Sequence, residues 1–177
     1  MCSSDLPAGR TVTLNTALTG ALKLVKTGAG VLVASKAGQT YTGGTDVLGG
    51  ILRTDGGAAT DGWLGPNTSA VRCKVYVGPD GVLDPAGSSG WDDHNDTLDG
   101  GMVSNTVART GTGSVCFNPV LSTTGDVTLA TMDEYSYVFA GGDLKGSTLT
   151  LYLKSGVKCY PLNWAWSNGT IIYNSGD

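Results

Sequence analysis

The densest group of side chains that could do chemistry lies at 90–99: Gly90-Trp91-Asp92-Asp93-His94-Asn95-Asp96-Thr97-Leu98-Asp99. Asp92, Asp93, Asp96 and Asp99 surround His94, the only histidine of the chain. Calcium needs several oxygen ligands converging on one point, and this stretch has enough carboxylates to supply them. It lacks the D-x-D-x-D-G spacing of an EF-hand and the nonapeptide calcium pattern of some solenoids. The plainer reading, a solvated loop leaving the fold, is preferred, and no metal is expected.

Catalysis finds less support. A polysaccharide lyase would want a basic residue beside acidic or calcium-binding groups, and Arg72, Lys74, Arg109 and Asp84 are the residues such a site could recruit. A glycosidase would want two carboxylates at a set separation. Nothing in the sequence brings any of these together. His94 has no G-x-S-x-G nucleophile elbow to serve. The chain is therefore not expected to be an enzyme, and neither a catalytic residue nor a cofactor is assigned. Trp164 and Trp166 are the possible ligand-binding residues, with Tyr160 and Tyr173 nearby. Two positions apart on a strand, the tryptophans share a face. An outward pair could stack on a sugar or a protein; an inward pair would be core.

The elements that would position these groups are read from composition. The chain has 177 residues, of which 28 are Gly and 22 Thr; Asp occurs 14 times, while Glu134 is the only glutamate. Asp suits turns because its short side chain bonds nearby backbone, and Glu suits helices. Such a balance predicts strands joined by many tight turns. The net charge is −4 and the pI about 4.7. Basic residues are scattered singly, which argues against a nucleic-acid surface. Only 15% of residues are charged, so the surface is expected to be Thr, Ser, Asn and Gly, which suits an extracellular protein. No apolar run approaches a membrane span. Residues 1–10 contain no signal-peptide core, so an export signal is expected outside this chain.

Residues 1–6, Met-Cys-Ser-Ser-Asp-Leu, differ from the rest. Read back into codons they match a common sequencing adapter, and they are set apart as non-native; 7–177 is taken as the fold. Both ends are expected to be truncated. Cys73, Cys116 and Cys159 remain, each 43 residues from the next. The flanks Gly113-Ser-Val-Cys116-Phe-Asn-Pro119 and Gly156-Val-Lys-Cys159-Tyr-Pro161 agree. Thr124-Gly-Asp-Val127 answers Asn168-Gly-Thr-Ile171 with a slip of one. This period fits two solenoid coils of roughly 20–25 residues, with the cysteines as small buried residues stacked above one another.

Short apolar strands recur along the chain: Val12–Leu14, Leu22–Val25, Val31–Val33, Thr40–Thr42, Thr45–Val47, Ile51–Leu52, Val71–Val77 and Val82–Asp84. Each is too short to bury a useful face alone. Stacked coil on coil, each adds one inward side chain to a continuous core and pairs its backbone above and below. Seven or eight such coils would form a rod of roughly 35 Å at about 4.8 Å per coil. A sandwich would want longer strands with hairpin turns. The expected fold is thus all-β: a right-handed single-stranded parallel β-helix, or β-solenoid.

Residues 22–52 carry a recognisable pattern. Lys26, Gly28 and Gly30 form a Lys-x-Gly-x-Gly turn; a short apolar strand follows; Thr40, Tyr41, Gly43 and Thr45 form Thr-Tyr-x-Gly-x-Thr; Gly50 precedes the closing pair Ile51-Leu52. This resembles the autotransporter-associated β-strand repeat, also called the passenger-associated transport repeat. Weaker echoes occupy 63–85 and 141–151, without a second complete copy. The resemblance implies a structural stalk or passenger segment of a secreted or surface-exposed bacterial protein, aiding folding and transport of the passenger and adhesion. It also implies a β-barrel translocator partner outside this chain, and a host or glycan ligand. A glycan- or protein-binding solenoid module is the alternative reading.

Overall fold

A computed structural model describes residues 2–36, 38–54, 64–66, 73–84, 95–104, 115–117, 121–123, 125–130, 137–139, 142–154, 159–161 and 166–176. The chain winds as a series of coils. The first holds β1 (Cys2–Asp5), β2 (Thr11–Leu14) and β3 (Thr19–Gly20); the second holds β4 (Leu24–Thr27), β5 (Val31–Ala34) and β6 (Thr40–Tyr41). The third is β7 (Thr45–Val47) and β8 (Gly50–Thr54), the fourth β9 (Lys74–Val77) and β10 (Gly81–Asp84). β11 (Asn95–Leu98), β12 (Met102–Ser104) and β13 (Val115–Phe117) follow, then β14 (Leu121–Thr123), β15 (Val127–Ala130) and β16 (Tyr137–Phe139). The last strands are β17 (Gly142–Asp143), β18 (Thr148–Lys154), β19 (Cys159–Pro161), β20 (Trp166–Ser167) and β21 (Thr170–Gly176).

Two parallel sheets of eight strands each run the length of the molecule. One has the order β1-β4-β7-β9-β11-β14-β17-β20 and the other β2-β5-β8-β10-β12-β15-β18-β21. Three-stranded β13-β16-β19 and two-stranded β3-β6 close a third side over part of the length. No helix occurs among the described residues. The fold is an all-β parallel β-solenoid. Seven steps at about 4.8 Å give a rod of roughly 34 Å.

Parallel pairing places equivalent residues above one another, so one side chain per coil builds a column. In the second sheet, Val12, Leu32, Leu52, Leu83, Val103, Leu129, Leu151 and Tyr173 are successive register partners. Leu32, Leu52, Leu83, Val103 and Leu151 of this column are core residues, packed with Leu24, Val47, Val75 and Val77 from the first sheet. The alternation of strand side chains sets this division: Leu52 and Thr54 of β8 are buried, Ile51 and Arg53 only partly so.

A second register column lies two residues earlier in the strands. Gly50 pairs with Gly81, flanked by Gly30 and Gly101; further along, Val127, Leu149 and Ile171 hold the same position. The glycines are needed where the coils turn closely. Gly50 has φ +66°, and a Cβ there would lie 2.4 Å from the Gly28 carbonyl oxygen and 2.5 Å from that of Gly30.

The cysteine expectation needs correction. Cys116 is the register partner of Val138, and Val138 of Tyr160; Cys159 instead pairs with Tyr137. The two cysteines thus hold neighbouring positions, because two coils here span 44 residues rather than 43. Val127 and Ile171, linked through Leu149, show the same span. Cys73 belongs to neither column: it is buried just before β9, in a different part of its coil. Two strands are also longer than expected, β18 and β21 having seven residues each.

Candidate functional site

The repeat-like residues 22–52 make up the second coil and the two strands of the third. Lys26 lies in β4 on the same face as Leu24 and points inward, wholly buried. A buried ammonium must be met by acceptors. Its Nζ donates to the carbonyl oxygens of Thr27 at 2.6 Å, Gly28 at 2.8 Å and Gly49 at 2.9 Å. Two acceptors belong to its own corner and the third to the next coil. Burial pushes the Lys26 pKa below its ordinary value, while the Asp5 carboxylate opposes the shift. Gly28, at φ +70°, lets that corner turn tightly enough to aim its carbonyl inward.

Tyr41 is a core residue, and its hydroxyl lies 2.5 Å from Thr45 Oγ1, itself wholly buried. Burial raises the Tyr41 pKa against the opposing effect of the Thr45 bond. Cys73 of the fourth coil donates from Sγ to the Tyr41 carbonyl at 3.3 Å. Burial raises the Cys73 pKa, with the Gly44 amide working against it. A raised thiol pKa in an apolar site makes an inert packing residue.

Gln39 reaches backward. Its Oε1 accepts from the Leu18 amide at 2.6 Å, and its Nε2 donates to the Thr16 carbonyl at 3.3 Å and the Lys36 carbonyl at 2.8 Å. Buried Gln39 thus ties the second coil to the first, as Lys26 ties it to the third. Arg53 and Asp84, register partners in β8 and β10, form an ion pair at 2.9 Å in which the carboxylate side chain is fully buried.

On the outer face of the first sheet, Lys23 Nζ lies 2.5 Å from Asp46 Oδ2. Tyr76, the register partner of Asp46, donates its hydroxyl to Asp99 at 2.5 Å, which raises its pKa, aided by burial and the two nearby carboxylates. Of the calcium candidates, Asp92 and Asp93 lie outside the described residues, as does His94. Asp99 is engaged by Tyr76, and Asp96 occupies the register position of Val75 in the first sheet. Among the described residues no group of three or more metal-ligating side chains is found.

Arg72 and Arg109 also lie outside the described residues. Asp84 is held by Arg53, in the opposite sheet from exposed Lys74, so the structure does not bring these two together. Trp164 lies outside the described residues. Trp166 follows Gly142 in register and packs against the hydrophobic core. Trp166 itself is only partly buried.

No family model, no curated protein and no solved structure matches this chain. The likeness to the autotransporter repeat therefore rests on residues 22–52 themselves. Their side chains converge on neighbouring coils: Lys26, Gln39, Tyr41 and Thr45 are all buried. Gln39 and the Arg53–Asp84 pair went unnoticed in the sequence. Gln39 sits in the run Gly38-Gln39-Thr40-Tyr41 without a pattern of its own. Arg53 and Asp84 are 31 residues apart because the third coil is longer than its neighbours.

Proposed function

We propose that the chain is a structural passenger segment of a secreted or surface-exposed bacterial autotransporter-like protein, with a β-barrel translocator as its partner outside this sequence. The supporting observation is the pair of clasps made by the repeat-like coil. Gln39 takes hydrogen bonds from and gives them to the preceding coil; Lys26 reaches the following one. Polar side chains buried in this way contribute to coupling between coils, in a fold whose stability is the sum of nearest-neighbour contacts. A segment with this property can fold coil by coil as it emerges, using the coil already formed as template. Its role is to build and project a rod, at the outer surface, that supports adhesion.

The test is an export assay with the chain carried between a signal peptide and an outer-membrane β-barrel. The expected result is chain on the cell surface, digested by protease added outside, and less of it for Lys26→Ala and Gln39→Ala. Retention of the unaltered chain inside the cell overturns the reading, as does equal surface display of all three.

A further inference from the structure

Three residues separate Lys26 from Gly30 at the corner of the second coil, and three separate their register successors Val77 and Gly81 at the corner of the fourth. The fourth-coil corner closes itself: the Gly81 amide donates to the Gly78 carbonyl at 2.9 Å. At the second-coil corner the equivalent amide, that of Gly30, donates instead to the Leu6 carbonyl of the first coil at 2.7 Å, and the Val31 amide to the Arg10 carbonyl at 2.8 Å. The amide that would close this turn is thus engaged by the first coil, and the Lys26 ammonium stands in its place. Its Nζ lies 2.6, 2.8 and 2.9 Å from the carbonyl oxygens of Thr27, Gly28 and Gly49. The Thr27 carbonyl also accepts from the Leu6 amide, at a longer 3.3 Å. All three acceptors are neutral. An ammonium has three N–H donors and a neutral amine two, so three acceptors at these distances match the charged form. Val47 and Val77, the next residues of the Lys26 register column, are wholly buried. The lysine stem therefore takes an apolar place in that column. Its head fills a cage of carbonyl oxygens, the kind of ligand that replaces the hydration shell of a monovalent cation.

We propose that the corner formed by Thr27, Gly28 and Gly49 is a binding site for a primary ammonium ion, with the Lys26 head group as its tethered occupant. The site takes both the positive charge and the three N–H donors. A quaternary ammonium has the charge without the donors, and an alcohol of the same length has one donor without the charge. The nearby Asp5 carboxylate favours positive charge at this position. Because the occupant belongs to the chain, its effective concentration exceeds that of any dissolved ion, and the unaltered chain is indifferent to added ammonium ions. Cutting the tether opens the site. Lys26→Ala keeps Cβ, and n-propylammonium supplies the missing carbons and the nitrogen. This assignment is independent of the passenger reading: a failed export assay leaves it standing, and the reverse holds.

The experiment is urea unfolding of Lys26→Ala in rising n-propylammonium chloride, with trimethylpropylammonium chloride making up a constant ionic strength. n-Propylammonium is expected to raise the midpoint saturably, the folding constant growing about elevenfold at ten times its dissociation constant. Neither the unaltered chain in n-propylammonium nor Lys26→Ala in 1-propanol is expected to gain. Should Lys26→Ala be unfolded in buffer, n-propylammonium is expected to refold it, as followed by circular dichroism. A variant that n-propylammonium leaves unchanged, folded or unfolded, overturns the proposal. So does an equal gain from 1-propanol, which would mean that filling the stem cavity suffices, or an equal gain by the unaltered chain, which would mean binding elsewhere. A second measurement uses the unaltered chain, so that the folding of a variant does not enter. Nitrogen-15 NMR of its lysine side chains at neutral pH is expected to show Lys26 Nζ carrying three protons protected from exchange with water. A two-proton amine there, or protons that exchange as fast as those of an exposed lysine, overturns the assignment independently of the variant.

Discussion

The ammonium of Lys26 and the carbonyl oxygen of Gly49 lie 2.9 Å apart, and they belong to successive coils. One side chain therefore joins the corner that ends β4 to the corner that begins β8. Were the third coil to open, a buried cation would lose one of its three acceptors. Local opening of one coil thus carries a penalty in the next, and this makes the second and third coils cooperate.

Replacing Lys26 tests that coupling. Lys26→Met keeps the length of the side chain but leaves the Thr27, Gly28 and Gly49 carbonyls without their donor. A loss of about 1.5–3 kcal/mol is expected, the usual range for hydrogen bonds to a charged group. Urea unfolding measures it as a lower midpoint. Hydrogen exchange should show the amides of β5 and β8 losing protection together.

Alkaline pH separates Lys26 from Tyr41. The folded-state pKa of Lys26 lies below 10.5, so between that value and 10.5 the unfolded chain binds more protons. Its contribution to stability therefore rises with pH across that window. The folded-state pKa of Tyr41 lies above 10, so from about pH 10 upward the unfolded chain ionises first, and stability falls. Tyr76 acts in the same sense as Tyr41. Thermal melts in pH steps should show Lys26→Met flattening the rise. Tyr41→Phe should reduce the fall by about one proton without abolishing it. An unchanged alkaline slope in Tyr41→Phe would contradict the buried phenol.

Two glycines distinguish lack of space from backbone preference. Gly50 and Gly20 both have positive φ, +66° and +77°. A Cβ on Gly50 meets two carbonyl oxygens at 2.4 and 2.5 Å, whereas a Cβ on Gly20 has nothing within 4 Å. Gly20→Ala should cost only the left-handed backbone penalty, about 1–2 kcal/mol. Gly50→Ala should cost more, about 3 kcal/mol or beyond, because the coils must part. Comparing the two urea midpoints decides the matter.

Cys73 should resist alkylation. It is buried, its pKa is raised, and its thiol faces the Tyr41 carbonyl. Treating the native chain with iodoacetamide at pH 8 and mapping peptides by mass spectrometry should leave Cys73 unmodified until denaturant is added. Rapid native labelling would show that the fourth coil opens locally.

Much of the solenoid could be read from the sequence because its signal is local. The short segments Val31–Val33 and Val82–Asp84 lie within β5 and β10, and the Gly28-Ala29-Gly30 corner is where the motif put it. What escaped depends on coil length, which varies. Leu32 to Leu52 is 20 residues, but Leu52 to Leu83 is 31. A fixed period cannot foresee the Arg53–Asp84 pair across that longer coil. The equal spacing of the cysteines was off by a single residue, enough to change which neighbours they stack on. For Trp166 the spacing gave a shared face with Trp164, but not the contact its ring makes with the core. The burial of Lys26 also escaped, because nothing in a lysine announces three carbonyls waiting inside a corner.

The register position held by Gly30, Gly50, Gly81 and Gly101, and then by Val127, Leu149 and Ile171, means that the coils are not interchangeable bricks. A coil duplicated within the glycine stretch slots beside its parent, since both leave the same room for a neighbouring corner. A coil transplanted from the Leu149 stretch would bring a bulky side chain where carbonyl oxygens of the adjoining corner already sit. Growth of such a chain by copying is therefore confined to like neighbours, and each half of the rod lengthens only from its own stock.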